Sequence, residues 1–199
     1  MQNKIQKVLS KFGLKGISYD PCSGGGKALV SAEEQLAAVG LCWSKSPVGW
    51  LILFVEGLKD QHAYKMLSIA TRAETLRLMA DWRGCYPEQA IISLTESAIS
   101  EAIQRYGQIC LECGGSAIVI DKNRNRCKCP CCKQGRIAWT QEVRFAYFCR
   151  SFPITFSRFK KYERILLRLV DWLQANRTAA CLTISDQMEL EEKEALIYE

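Results

Sequence analysis

Four cysteines in the middle of this chain fall in the order Cys110-x2-Cys113-x15-Cys129-x2-Cys132, and that spacing restricts the fold more than any other feature. Each Cys-x-x-Cys pair sets two sulfurs on one tight turn. Two such turns brought together make the tetrahedral four-thiolate shell that Zn2+ favours in closed, structural sites. Gly114, Gly115 and Gly135 follow the two knuckles, where a chain turning sharply around a metal needs positive φ. The spacing predicts one structural zinc ion held by Cys110, Cys113, Cys129 and Cys132. The second knuckle, Cys127-Lys-Cys129-Pro-Cys131-Cys132, offers more sulfurs than one ion uses, which leaves Cys127 with Cys131 as an alternative pair. Free or disulfide-bonded cysteines are a competing reading, and a redox dithiol is another. A redox Cys-x-x-Cys normally opens a helix after a strand, whereas Cys110-Leu-Glu-Cys113 follows a helical run and leads into glycines.

With 199 residues and 48% apolar content, the chain can bury a sizeable core as one domain or two small ones. Its longest apolar run, Val48 to Val55, is far short of the roughly 20 residues a membrane span requires. Met1 to Phe12 spreads Lys4, Lys7 and Lys11 among Ile5, Val8, Leu9 and Phe12. This is the rhythm of a short amphipathic helix and not of a signal peptide. Eleven cysteines, an odd number, then point to a reducing cytoplasm in which thiols are free or metal-bound. A membrane partner is not expected.

Outside the cysteine cluster the pattern is helical. Residues 1–30 read as a basic N-terminal helix and a glycine-rich loop, Pro21 to Lys27, which lacks the frame of a phosphate-binding loop. Residues 31–107 read as a helical domain. Ser31-Ala32-Glu33-Glu34 forms a capping box, Ser44 to Pro47 interrupts the first helix, and Val48 to Leu58 is a buried helix. Asp60 can cap the next, which runs to Trp82, and Pro87 suits the first position of another ending at Gly107. Residues 108–137 form the zinc module. In 138–176, Thr140 to Phe152 gives a short helix, Pro153 a turn, and Ser157 the cap of a second, basic helix, which together outline a helix-turn-helix. Residues 177–199 form an acidic C-terminal helix or tail. The fold class expected is mainly α, a helical domain with an inserted four-cysteine zinc-knuckle module and a helix-turn-helix.

Charge follows the same divisions. The net charge is +6, yet residues 110–136 carry six Lys or Arg against Glu112 and Asp121, and the last twenty residues carry six carboxylates against Lys193. A basic middle fits an anionic partner. Lys122, Arg124, Arg126 and Lys128 stand between the knuckles, where Arg and Asn side chains can reach phosphates and base edges. Arg158, Lys160, Lys161 and Arg164 lie on the second helix of the candidate helix-turn-helix. His62 is the only histidine and has no recognisable acid-base or nucleophile motif around it. A four-thiolate zinc leaves no open position for water. The chain therefore reads as a binding protein without catalytic residues, and Cys22, Cys42, Cys85, Cys149 and Cys181 as small buried side chains.

The order of parts resembles the Q antitermination proteins of lambda-like phages over about residues 31 to 175. The elements that carry it are Ala37-Ala38-Val39-Gly40 followed by Ser44 to Gly49, Cys110-Leu-Glu-Cys113-Gly-Gly, the Cys129-Pro-Cys131-Cys132-Lys-Gln-Gly135 knuckle, and the segment from Val143-Arg144-Phe145 to Leu173. The resemblance implies a phage or prophage antiterminator in the bacterial host cytoplasm. Such a protein binds double-stranded DNA in a late promoter, engages RNA polymerase holoenzyme, including sigma, at a promoter-proximal pause, and makes it read through terminators; elongation factors are candidate further partners. It would also make Cys110, Cys113, Cys129 and Cys132 the zinc ligands and place Arg158, Lys160, Lys161 and Arg164 on the recognition helix. Lys122, Arg124, Arg126 and Lys128 would then be an accessory surface. Two other readings stay open: a zinc-stabilised helix-turn-helix repressor or activator, and a zinc-knuckle module that binds protein or RNA.

Overall fold

Pro47 follows Ser46 and opens an apolar stretch whose φ is already suited to a helix start, and helix α1 spans Pro47–Leu58. It ends at Lys59, which adopts the left-handed conformation. Asp60 then caps helix α2, Gln61–Leu78, its carboxylate accepting from the His62 N–H at 2.8 Å. The computed structural model describes residues 40, 43–83, 87–122, 124–132 and 134–197. The helix and glycine-rich loop expected in 1–30, the capping box at Ser31, and Cys22, Cys42 and Cys85 lie outside the described residues. The remaining elements are α3 (Pro87–Ile103), β1 (Gln108–Ile109), β2 (Ile118–Ile120), β3 (Arg126–Lys128), β4 (Arg136–Ile137), α4 (Gln141–Phe148) and α5 (Phe156–Ile197). The chain is thus mainly helical, and among the described residues no helix is long and apolar enough to cross a membrane.

The chain divides into two units: one takes residues up to Ala70 together with those from Asp171 onward, the other takes Thr71–Val170. In the first, Trp50 and Leu53 of α1 bury against Ala180 and Ile184 of α5, with Phe54 and Cys181 packed at the edge. Gly49 makes this approach possible: a Cβ there would sit 2.1 Å from the Asn176 carbonyl oxygen. The same carbonyl accepts from the Ser46 hydroxyl at 3.1 Å, and Arg177 pairs with Glu56 at 2.8 Å.

The second unit is built around α3, whose buried residues include Ala90, Ile91, Leu94, Ala98, Ile99 and Ala102. Full burial of a side chain such as Leu94 stabilises by about 1.5–3 kcal/mol. Phe148 of α4 meets Phe159 and Tyr162 of α5 in an aromatic cluster that Trp82 extends, its ring tilted against Tyr162 with centroids 4.7 Å apart. Trp82 lies beyond α2, which ends four residues before the expected limit, at Leu78. Some of the polar groups inside are satisfied within their own helix, as where the Thr75 hydroxyl donates to the Thr71 carbonyl at 2.8 Å, whereas the Trp82 indole N–H and the Ser97 hydroxyl are buried without a hydrogen-bond partner among the described residues. Pro87 is the first residue of α3, as the sequence predicts, whereas Thr140, expected inside the next helix, caps α4, which ends at Phe148 and not at Phe152. α5 starts at Phe156, one residue before Ser157, and continues as one helix across position 177 to Ile197.

Candidate metal centre

The cysteine-rich region leaves α3 through a turn at Gln104–Tyr106 and enters a two-stranded antiparallel sheet, β1 with β4, pairing Gln108 with Ile137 and Ile109 with Arg136. Gly107 makes the close start, with φ +106 and a would-be Cβ 2.4 Å from the Ile137 carbonyl. The Trp139 indole N–H donates to the Gln104 carbonyl at 2.8 Å, and the Arg136 guanidinium donates to the Gly107 carbonyl at 3.0 Å. The two ends of the region are therefore fixed to each other and to the end of α3.

From this base the first knuckle, Cys110 to Cys113, turns through Gly114 (φ +58) and Gly115 (φ +90). β2 and β3 then form an antiparallel hairpin that pairs Ile118 with Lys128, Val119 with Cys127 and Ile120 with Arg126. Asp121 closes its turn, accepting from the Asn125 N–H at 2.8 Å. The second knuckle, Cys129 to Cys132, returns through Gln134 (φ +56) and Gly135 (φ +81). The knuckles brace one another by a matched pair of bonds. The Cys110 N–H donates to the Gly135 carbonyl and the Cys129 N–H to the Ala117 carbonyl, both at 2.9 Å.

Cys110, Cys113, Cys129 and Cys132 converge so that their sulfurs all lie within 4.8 Å of one another. Cys110 and Cys129 are 3.8 Å apart and Cys113 and Cys132 3.5 Å. A tetrahedron of thiolates about 2.3 Å from a central zinc has edges of about 3.8 Å, so the donor set fits that ion in kind and in size. A disulfide needs a sulfur separation of about 2.05 Å, and none of the described cysteines is bonded to another. Neither knuckle opens a helix, the position a redox dithiol normally takes. Cys127 and Cys131, the alternative pair, are both exposed and stand outside the cluster. Cys127 faces the Asp121 carboxylate at 3.8 Å.

No family model matches the chain, and no curated protein matches it.

The thiols compete for charge. At Cys113 desolvation opposes ionisation, but hydrogen bonds from the Cys132 thiol and from the Ala117 and Gly115 amides outweigh it and bring the group down to about 7. Cys132 is pushed up to about 12, first by desolvation and then by its hydrogen bonds to Cys113, Cys129 and Cys110. Burial likewise pushes the Cys131 thiol up. One ionised sulfur thus hinders the next, and a divalent cation at the centre removes that conflict by stabilising all four thiolates together.

Of the eight basic residues expected to meet nucleic acid, Lys122, Arg124, Arg126 and Lys128 are exposed on the β2–β3 hairpin, and Arg158, Lys160, Lys161 and Arg164 are exposed along the first two turns and more of α5. Phe159, Tyr162, Ile165 and Leu166, interleaved with the latter four, are buried, so the cations occupy the solvent side of an amphipathic helix. Residues 149–155 connect α4 to α5. His62 is exposed on α2. Arg144 serves the packing of the helices, forming a two-pronged ion pair with Glu101 of α3 in which Nε donates to Oε2 at 2.8 Å. Spacing gives no hint of that pair, because its members are 43 residues apart.

Proposed function

We propose that this protein is a zinc-stabilised DNA-binding protein acting as a phage or prophage antiterminator. It binds late-promoter DNA and RNA polymerase holoenzyme at a promoter-proximal pause and carries the enzyme through terminators, with no catalytic activity of its own. The observation that supports DNA binding is the four-sulfur cluster at the root of a hairpin on which Lys122, Arg124, Arg126 and Lys128 are all exposed. Zinc bound by Cys110, Cys113, Cys129 and Cys132 would supply rigidity. A hairpin held in place before contact loses less conformational freedom on binding. The exposed Arg158, Lys160, Lys161 and Arg164 add a second cationic surface, consistent with α4, the 149–155 connection and α5 acting as a helix-turn-helix. The antiterminator role rests on the resemblance in the order of parts.

In vitro transcription with bacterial RNA polymerase tests the role, on the DNA immediately downstream of this gene with a terminator beyond the start. Promoter-dependent read-through on addition of the purified protein is the expected result. Unchanged termination with altered initiation would instead indicate a repressor or activator. No effect on either would favour a module that binds protein or RNA, a reading to which the exposed Leu111, 87% accessible at the first knuckle, gives some support.

A further inference from the structure

Residues opposite one another in an antiparallel ladder share a face. In the β2–β3 hairpin, Ile118 with Lys128 and Ile120 with Arg126 therefore project from one side, and Val119 with Cys127 from the other. The first face is open to solvent: Ile118 is 47% and Ile120 72% exposed, and Arg126 and Lys128 are exposed as well. At the tip, Lys122 and Arg124 are also exposed, Arg124 in the left-handed conformation with φ +62. None of these four cations forms an ion pair among the described residues. The single carboxylate between residues 117 and 129 is Asp121, and it is turned onto the Asn125 N–H and the Cys127 thiol. The hairpin thus offers cations outward while its one anion is used within the turn.

We infer that this hairpin enters the major groove of double-stranded DNA as a two-stranded ribbon, with the Ile118, Ile120, Arg126 and Lys128 face toward the base edges and Lys122 and Arg124 toward phosphates. This rests on the DNA-binding reading above and names the element that enters the groove. Two strands about 4.8 Å apart, with their side chains, match a groove about 12 Å wide. The chemistry of the face matches its floor. Arg and Lys donate to guanine O6 and N7, and aliphatic side chains pack on the thymine methyl. Apolar and cationic residues also alternate one for one across the ladder, so covering either isoleucine covers a cation too. A groove floor that interleaves acceptors with methyl groups answers that pattern, whereas a partner protein's apolar patch leaves the cations unpaired. The major groove of an RNA duplex is too deep and narrow for the ribbon.

The test uses the full chain in its zinc-loaded form. A duplex is selected by that chain from a random pool of DNA, and guanine N7 accessibility is read by dimethyl sulfate with and without protein. Protection of guanines in the selected site is expected. R126A/K128A should lose that protection and bind about 10- to 100-fold more weakly while retaining its zinc. I118A/I120A should bind normally folded but no longer distinguish thymine from uracil in the site, and an RNA duplex of the same sequence should not compete. Unchanged affinity and protection in zinc-loaded R126A/K128A would overturn the ribbon and leave DNA binding through another surface standing. Failure of the unmodified protein to retain any duplex would overturn the DNA-binding reading itself, and the ribbon with it.

Discussion

Gly135 lies directly against Gly115: a Cβ at position 135 would sit 2.0 Å from the Gly115 carbonyl oxygen. The two knuckles meet backbone to backbone at this point, and neither side can give way as a flexible side chain would. Gly135 also has φ +81, a conformation that disfavours any side chain. Gly135→Ala is expected to force the knuckles apart and destabilise the module by at least about 1–3 kcal/mol, seen as faster zinc loss to a chelator. Retention at the unmodified rate would mean the contact tolerates separation.

Cys110→Ser and Cys129→Ser each leave three thiolates, and both are expected to lower zinc content and DNA binding together. Cys127→Ser and Cys131→Ser, outside the cluster, should leave one zinc per chain in place. Elemental analysis of the purified variants separates the two sets. Normal DNA binding by zinc-free Cys110→Ser would break the link between metal and partner.

Arg144 and Glu101 form the two-pronged pair that joins α4 to α3, with the Glu101 side chain 8% and the Arg144 side chain 19% exposed. Arg144→Ala leaves a carboxylate buried without its partner, a change that typically destabilises by about 3 kcal/mol or more. Arg144→Lys should recover only part of this, because an ammonium cannot reproduce the guanidinium fork. Urea denaturation of the two variants measures the difference; equal stability of Arg144→Ala and the unmodified protein would show the pair to be idle.

Proton exchange should accompany metal uptake. Among the thiols themselves Cys132 is held at about 12 and Cys113 at about 7, so at about pH 7.5 zinc binding is expected to release the Cys132 proton. A metal depresses the proton affinity of all its ligands. Its stabilising effect is therefore full at high pH and is lost as the pH falls and protons reclaim the thiolates. Titration calorimetry in buffers of different ionisation enthalpy should give different apparent heats. Equal heats would show that no proton is released.

The cluster was legible in the sequence because a metal site is specified by a few residues at short spacing, and Cys110, Cys113, Cys129 and Cys132 converge as that spacing implies. The helix starts at Asp60 and Pro87 were legible for a similar reason, since capping and an N-terminal proline are local chemistry, whereas α1 starts at Pro47, one residue before the Val48 expected, and Thr140 is the cap of α4 and not part of it. The strands were not. β2 and β3 have three residues each, too few for a periodic pattern, although Ile118-Val119-Ile120 is a β-branched run that a strand favours. The Arg144–Glu101 pair and the bond from Trp139 to Gln104 depend on chain closure across 43 and 35 residues, which no local pattern encodes. The cap of α5 lies at Thr155, two residues before the Ser157 expected, so Ser157 is inside the first turn and the Thr155 carbonyl accepts from the Arg158 and Phe159 N–H groups.

Gln108 and Ile137 are ladder partners, so the chain departs from the helices and comes back to them at a single doorway. To α3 and α4, everything between those partners occupies the place of a short turn. The cysteine-bearing segment is in that sense a cassette: a change in its length, its tip or its charge need not disturb the doorway or the helices that frame it.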